Sequence, residues 1–332
     1  MGSIMARLML EKGVEIVGAI ARSPEKVGKD LGEVAGLAFE TGVTVEDDAH
    51  RVLSTRSADI AVVSVASYLS VMFDHFKTCL ENAVNVVTIE EETLYPWGTA
   101  PDLAAELDRI AKDNGVSIAA SGAQDVYWMN LISTLMGAAH RVDAVVGRCS
   151  WNADDYGPEV ARHVHLGATK EEFERFVEEK GWPDFVVRNT LEALVADVGL
   201  TVEVVRTSVV PVLADADTWS TSLGATISAG RMLGVVDAAT LETREGPTFS
   251  FEMAGRVYRE GEADTNEWLV RGEPSELHLR NDGVPTRLIT CTSVVNRIPD
   301  VINAEPGFLS LNKLPKPKYK HFPLDYYVRT QP

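Results

Sequence analysis

The sequence predicts an α/β protein: a doubly wound parallel sheet followed by a second, mixed α+β domain. Three observations carry this. Up to Ala120, short apolar runs alternate with amphipathic stretches, which is the pattern of a parallel sheet with helices on both faces. From Asp125 onward the alternation gives way to successive strand-like runs, the mark of a more antiparallel sheet. The length of 332 residues suits two domains at about 150 residues each.

Taken in order, Ile4, Met5, Leu8 and Met9 recur at helical spacing, and Gly13 follows as a stop. Residues 14–20 read as a buried strand and 24–32 as helical. Strands are expected at 59–65, 84–89 and 116–120, with helices at 71–83 and 101–114 between them. A long helix at 126–139 then leads into a strand at 142–151. Helices at 171–180 and 190–198 precede strands at 201–213, 248–258, 267–270 and 276–280. A final helical stretch begins at Thr286. The expected domains are residues 1–125, with 286–332 packing back on them, and 126–285.

The opening order of helix, strand, helix is that of a Rossmann-type unit whose first strand is missing from this chain. In such a unit the first strand feeds a glycine-rich turn that opens a helix, and a pyrophosphate sits at the helix N-terminus. Gly2 and Ser3 stand where that turn would end, with Gly2 as its third glycine. The expectation is that roughly a dozen residues, one strand and a turn, precede Met1. The alternative is an ordinary N-terminal helix.

At the end of the strand over 14–20, an acidic residue would bind the ribose 2′-hydroxyl of NAD. The chain has Ala21, Arg22 and Ser23 instead. An arginine and a serine suit a 2′-phosphate, which favours NADP(H) and leaves NAD(H) possible. Ser64 and Ser67 follow the next strand, and Gln124 stands at the turn after 116–120, so all three are candidate cofactor contacts.

Composition narrows the partners. The chain has 49 acidic and 31 basic side chains, a formal charge of -18. That argues against nucleic acid and against an anionic membrane surface. The basic stretch 313–321 reads as a solvated tail or packing arm. No apolar run approaches the roughly 18 residues of a membrane span. Three distant cysteines suit a reducing compartment, and a cytoplasmic location is expected. His163 and His165 lack a third ligand at helpful spacing, so no metal is expected.

Several segments carry a family resemblance. They are Ser23 to Gly36, Asn85-Val-Val-Thr-Ile-Glu-Glu-Glu-Thr-Leu-Tyr-Pro-Trp97, Ser121-Gly-Ala-Gln-Asp-Val-Tyr-Trp128 and Trp151-Asn-Ala-Asp-Asp-Tyr-Gly-Pro-Glu-Val160. Gly283-Val-Pro-Thr286, Asn296-Arg-Ile-Pro299 and Ala304-Glu-Pro-Gly307 fit the same pattern. The chain resembles the 2,4-diaminopentanoate dehydrogenases and native amine dehydrogenases of the dihydrodipicolinate reductase-like superfamily. The resemblance implies reversible NAD(P)-dependent oxidative deamination of an amine to a ketone and ammonia, in a homodimer. A cyclic-imine reductase and a non-catalytic paralogue remain the alternatives.

Deamination needs a carboxylate near the reacting nitrogen. Glu90, Glu91 and Glu92 follow a buried strand, and like charges prevent all three from being buried and ionised together. The family motif maps onto Glu91, Glu92, Tyr95, Pro96 and Trp97, with Glu91 the first candidate base and Glu92 the second. Tyr95, Trp97, Tyr127 and Trp128 are candidates to line a substrate pocket, and Asn152 belongs to the third motif. A substrate carboxylate would need a cation, for which Arg148, His165 and His278 are the candidates.

Overall fold

A computed structural model describes residues 1–329. In chain order it holds α1 (Gly2–Glu11), β1 (Ala19–Ile20), α2 (Leu31–Ala35), β2 (Val45–Glu46), α3 (Ala49–Thr55), β3 (Ile60–Val63), α4 (Leu69–Glu81), β4 (Asn85–Thr88), α5 (Pro101–Asp113) and β5 (Ser117–Ala120). A π-helical stretch, Gln124–Asn130, then leads to α6 (Leu131–Met136), β6 (Arg141–Asn152), α7 (Pro158–His163), α8 (Lys170–Lys180) and α9 (Phe185–Asp197). Next come β7 (Val202–Leu213), a small hairpin of β8 (Thr218–Ser220) and β9 (Ala225–Ile227), β10 (Met232–Thr243), β11 (Thr248–Arg256), β12 (Thr265–Glu273) and β13 (Leu277–Asp282). The series closes with α10 (Thr286–Ile302) and β14 (Gly307–Leu309).

The chain divides into two compact units. Unit 1 is Met1–Val126 with Arg287–Pro332, of which the last three residues lie outside the described ones, and unit 2 is Tyr127–Thr286. Among the described residues the strands of unit 1 pair in parallel, in a four-stranded sheet of order β14-β5-β4-β3 and a separate pair, β1-β2; one isolated antiparallel bridge joins Asp30 and Thr44. In the doubly wound order a central strand would stand between β1 and β3. Among the described residues no strand fills that position. This is why the strand expected at 14–20 is formed only at Ala19–Ile20, where β2 pairs with it.

Leu69, Met72, Phe76 and Leu80 on α4 pack with Leu107 and Ile110 of α5, Val86, Ile118 and Phe308 in the core of unit 1. The spacing of the α4 residues is that of one helical face. The helix expected at 24–32 is absent. Gly28 takes φ 84°, and Asp30 instead caps the short α2, accepting from Gly32 N at 2.6 Å. The basic stretch 313–321 is a packing arm rather than a solvated tail. Lys320 is buried, its Nζ lies 2.7 Å from Asp300, and its carbonyl accepts from Lys12.

Unit 2 is built on a six-stranded mixed sheet, β13-β12-β6-β11-β10-β7, in which β6 and β11 are parallel and the other pairs antiparallel. Helices α6 and α9 pack against it. Phe251 and Trp268 stack at 4.9 Å across Gly147, where a Cβ would come within 2.6 Å of the Trp268 ring. Strand β10 was not legible in the sequence, because Met232–Val235 are buried in succession and alternation begins only after them. The helix expected at 126–139 is a π-helical stretch followed by a shorter α6. No described helix is long and apolar enough to cross a membrane.

Candidate active site

Parallel strands present ligands at their carboxyl ends. In unit 1 those ends lead into Ser64–Tyr68 after β3, Ile89–Trp97 after β4 and Ser121–Gln124 after β5. Glu92 Oε2 accepts from Leu69 N at 2.9 Å, which ties the second of these segments to the start of α4.

The three adjacent glutamates have three different environments. Glu90 is buried and folds onto its own 3-10 turn, accepting from Glu92 N and Thr93 N, each at 2.8 Å, and from the Thr93 hydroxyl. Burial, and less strongly the Glu91 charge, pushes its carboxyl up to about 8 against those hydrogen bonds. Glu92 caps the first turn of α4, since its acceptor role satisfies a helix N–H that has no intrahelical partner. Glu91 is partly exposed as a residue, while its carboxylate is enclosed by protein. Enclosure raises its pKa, and a side-chain hydrogen bond from Ser67 opposes the rise. Beside it Tyr68 is half-buried, and burial followed by the charges of Glu91 and Glu92 keeps its phenol protonated.

The structure brings Gly2 and Ser64 together: a Cβ on Gly2 would stand 3.5 Å from Ser64 Oγ, in the space between the start of α1 and the end of β3. Helix α1 begins without a side-chain cap. Ser3 donates instead to Val34 O at 3.4 Å. Arg22 is exposed, and among the described residues no carboxylate lies within ion-pair distance of it. Its charge reaches His75 on α4, whose pKa is lowered by burial first and by Arg22 second. No sequence pattern marks His75. Ser23 donates to Glu25, so its hydroxyl would have to leave that carboxylate to meet a phosphate. Gln124 folds back over Gly122, where a Cβ would meet its Oε1 at 2.6 Å. The adjacent Asp125 is fully buried against Arg297.

Several expected pocket residues have structural roles. Trp97 packs edge-on against Phe308 at 5.7 Å, with Lys313 Nζ 5.8 Å from its ring centre. Tyr95 is partly buried at the junction of two 3-10 turns. In unit 2, Tyr127 is partly buried, and Trp128 is a core residue meeting Phe251 at 5.0 Å. Asn152 caps a 3-10 turn: its Oδ1 accepts from Asp154 N at 3.3 Å and from Tyr258 N at 3.2 Å.

The expected carboxylate-binding cations are also differently placed. Arg148 lies on the open side of the sheet, 3.4 Å from Glu252. His278 Nε2 is 2.8 Å from Glu267. Strand register puts Arg148 opposite both Glu252 and Glu267, so all three belong to one exposed row. His165 sits at φ 54° with its ring 4.4 Å from Phe176, and burial lowers its pKa, which favours the neutral ring over a cation. Among the described residues no group of three or more His, Cys, Asp or Glu is arranged to hold a metal.

Gly2 beside Ser64 leaves room that a side chain would fill, and the exposed Arg22 after β1 offers positive charge, two features that suit a dinucleotide. Fold and site together define a nicotinamide-dependent dehydrogenase with a Rossmann-type unit. Residues 127–322 match the 2,4-diaminopentanoate dehydrogenase C-terminal domain, and residues 1–89 match the dihydrodipicolinate reductase N-terminus. The chain belongs to the 2,4-diaminopentanoate dehydrogenase family, and is an oxidoreductase of the amine dehydrogenase class.

A 2,4-diaminopentanoate dehydrogenase of Acetoanaerobium sticklandii is 29% identical over 96% of this chain and 91% of that protein. The structure of an amine dehydrogenase from Mycobacterium smegmatis is 50% identical, with TM-score 0.92 over 96% of this chain and 94% of that one. A probable dehydrogenase from Thermotoga maritima, 10% identical with TM-score 0.58 over 90% and 84% of the two chains, shares the fold.

Proposed function

We propose that the protein catalyses reversible oxidative deamination of 2,4-diaminopentanoate to 2-amino-4-oxopentanoate and ammonia, and reductive amination in reverse, with Glu91 as base. The observation that carries the assignment of the base is the division of labour among the glutamates. Glu90 is held by its own turn and Glu92 by the α4 N-terminus, which leaves Glu91, among the described residues, as the one carboxylate of the three that accepts from no other residue's backbone N–H. The substrate is supported by the Acetoanaerobium sticklandii relative.

Glu91 takes a proton from the substrate ammonium and frees the nitrogen lone pair. The substrate carbon then loses its hydrogen with both bonding electrons and becomes an iminium. A bound nicotinamide supplies the acceptor for that hydride. Glu91, once it has released that first proton to solvent, orients water and takes its proton as the oxygen adds to the iminium carbon, then returns it to the nitrogen, which leaves as ammonia and carries off the proton of the new hydroxyl as the ketone forms. In sum, the substrate ammonium, one water and the oxidised dinucleotide become the ketone, an ammonium ion, the reduced dinucleotide and one proton. A raised pKa suits a group that must both accept and return a proton near neutrality.

Gly2, Ser64 and Arg22 are the residues that would hold the dinucleotide, and Arg22 favours NADP(H) over NAD(H). Unit 2 serves as the substrate and dimerisation domain. Its open sheet face, with Val210 53% exposed, is the surface for a homodimer, which light scattering would register as twice the chain mass. Three free, buried cysteines support a cytoplasmic location.

The test is an assay with 2,4-diaminopentanoate and simple amines, with NAD and NADP separately, following nicotinamide absorbance and ammonia. Amine-dependent reduction with matching ammonia release is expected. Reduction without ammonia, or none with any amine, would overturn the reading.

A further inference from the structure

We infer that Thr290, near the start of α10, is a positioning residue for the turn after β5, and through that turn for the nicotinamide end of the dinucleotide. This rests on the reading of Gly2, Ser64 and Arg22 as the dinucleotide site. With Arg22 after β1 at the adenosine end and Gly2 at the pyrophosphate, the nicotinamide end falls on the other half of the parallel sheet, at the carboxyl ends of β4 and β5. Strand β4 delivers Glu91 there, and β5 delivers Ser121–Gln124.

Helix α10 meets this turn at two levels. Ala123 is buried and opens the helical stretch, so its N–H has no intrahelical acceptor; it donates to Thr290 Oγ1 at 3.3 Å. About two helical turns further along α10, Arg297 grips both oxygens of Asp125. The Thr290 methyl makes a second contact: a Cβ on Gly122 would stand 3.2 Å from Thr290 Cγ2 and 2.6 Å from Gln124 Oε1. The next residue, Cys291, has its Sγ 3.8 Å from Met1 O, so the same part of α10 lies against the start of α1. The two ends of the turn are fixed without Thr290, since Ser121 N donates to Thr88 O at 2.9 Å and Asp125 is locked on Arg297. The Thr290 hydroxyl therefore sets the middle, Gly122 to Gln124. There the Gln124 carboxamide offers both a donor and an acceptor, the complement of a nicotinamide carboxamide.

The experiment titrates the unaltered full chain, Thr290→Val and Thr290→Ser with NADP and NAD, and with the fragments that lack nicotinamide, 2′-phospho-ADP-ribose and ADP-ribose. Calorimetry gives the affinities. Valine keeps the methyl against Gly122 and removes the hydroxyl, whereas serine does the reverse. Thr290→Val should weaken the preferred dinucleotide by about tenfold, the scale of one lost hydrogen bond, and leave its fragment unchanged. Thr290→Ser should restore the affinity. Deamination kinetics should show the same loss in KM for the dinucleotide, with KM for the amine unchanged. Equal weakening of dinucleotide and fragment, an unchanged dinucleotide affinity in Thr290→Val, or a loss confined to KM for the amine overturns the inference while the unaltered chain still binds the dinucleotide. An unaltered chain that binds neither dinucleotide overturns the reading of the dinucleotide site, and the inference with it.

Discussion

Arg297 grips the two oxygens of Asp125: Nε meets Oδ2 at 2.6 Å and Nη2 meets Oδ1 at 2.8 Å, with both residues 1% exposed or less. Ser121 adds a donor to Asp125 at 2.7 Å. The remaining guanidinium nitrogen reaches Pro315 O at 2.5 Å and Asp300 at 3.3 Å, and Lys320 pairs with Asp300 at 2.7 Å. One network thus joins the end of β5, helix α10 and the C-terminal arm within unit 1. Removing one partner of such a pair leaves a buried charge uncompensated. Arg297→Met is expected to lower unfolding free energy by about 3–5 kcal/mol, and adding Asp125→Leu should recover much of it. Urea denaturation measures both. An unchanged midpoint in the single variant would show that the pair does not stabilise the unit.

The glutamate assignments separate by function. Glu91→Gln should reduce deamination by about a hundredfold or more, the range for a lost general base, with little change in thermal midpoint. Glu92→Gln should reduce stability by about 1 kcal/mol through the weakened cap on α4. Steady-state kinetics beside calorimetry distinguishes the two. The reverse pattern would exchange their roles.

Much of this was legible because it is local. The parallel strands ended close to where their apolar runs ended, and the Glu90 to Trp97 segment therefore fell at a carboxyl end of the sheet. What was not legible depends on partners distant in sequence. Asp125 finds Arg297 at a separation of 172 residues, and Glu92 finds the α4 N-terminus at a separation of 23. Trp128 shows the same limit: an aromatic after a strand end suits a pocket or a core equally, and only Phe251 makes it core. Arg148 has the right charge for a substrate carboxylate, but the register of β6 and β11 sets Glu252 beside it.

Glu90 gives a pH prediction with a definite sign. Its folded pKa, raised by burial to about 8, lies above the ordinary carboxylate value of 4.5. The folded state therefore holds a proton that the unfolded state has released. The stabilising effect of that proton is complete below the ordinary value and is lost as pH rises towards 8. Glu90→Gln mimics the protonated form and should flatten the decline. One pKa unit corresponds to about 1.4 kcal/mol, so even part of the shift moves Tm by a few degrees. Thermal midpoints from pH 5 to 8 for both proteins make the comparison. Parallel curves would mean that Glu90 does not titrate in this range.

Cofactor choice turns on Arg22. It is exposed at the end of β1, and among the described residues no carboxylate lies within ion-pair distance of it. A 2′-phosphate would supply the missing anion, whereas a ribose 2′-hydroxyl would gain little from the charge. Removing one charge-assisted hydrogen bond costs about 1.5–3 kcal/mol, and solvent screening at an exposed site places the expected effect at the lower end. Arg22→Ala should therefore weaken NADP(H) by about tenfold and leave NAD(H) nearly unchanged, with the difference shrinking as salt is raised. His75→Ala provides a second reading. His75 feels the charge of Arg22 from α4, and its removal leaves the arginine in place. That variant should keep the preference that Arg22→Ala loses. Titration of nicotinamide fluorescence at two salt concentrations measures these affinities. Equal losses for both dinucleotides in Arg22→Ala would remove Arg22 from the 2′-phosphate site.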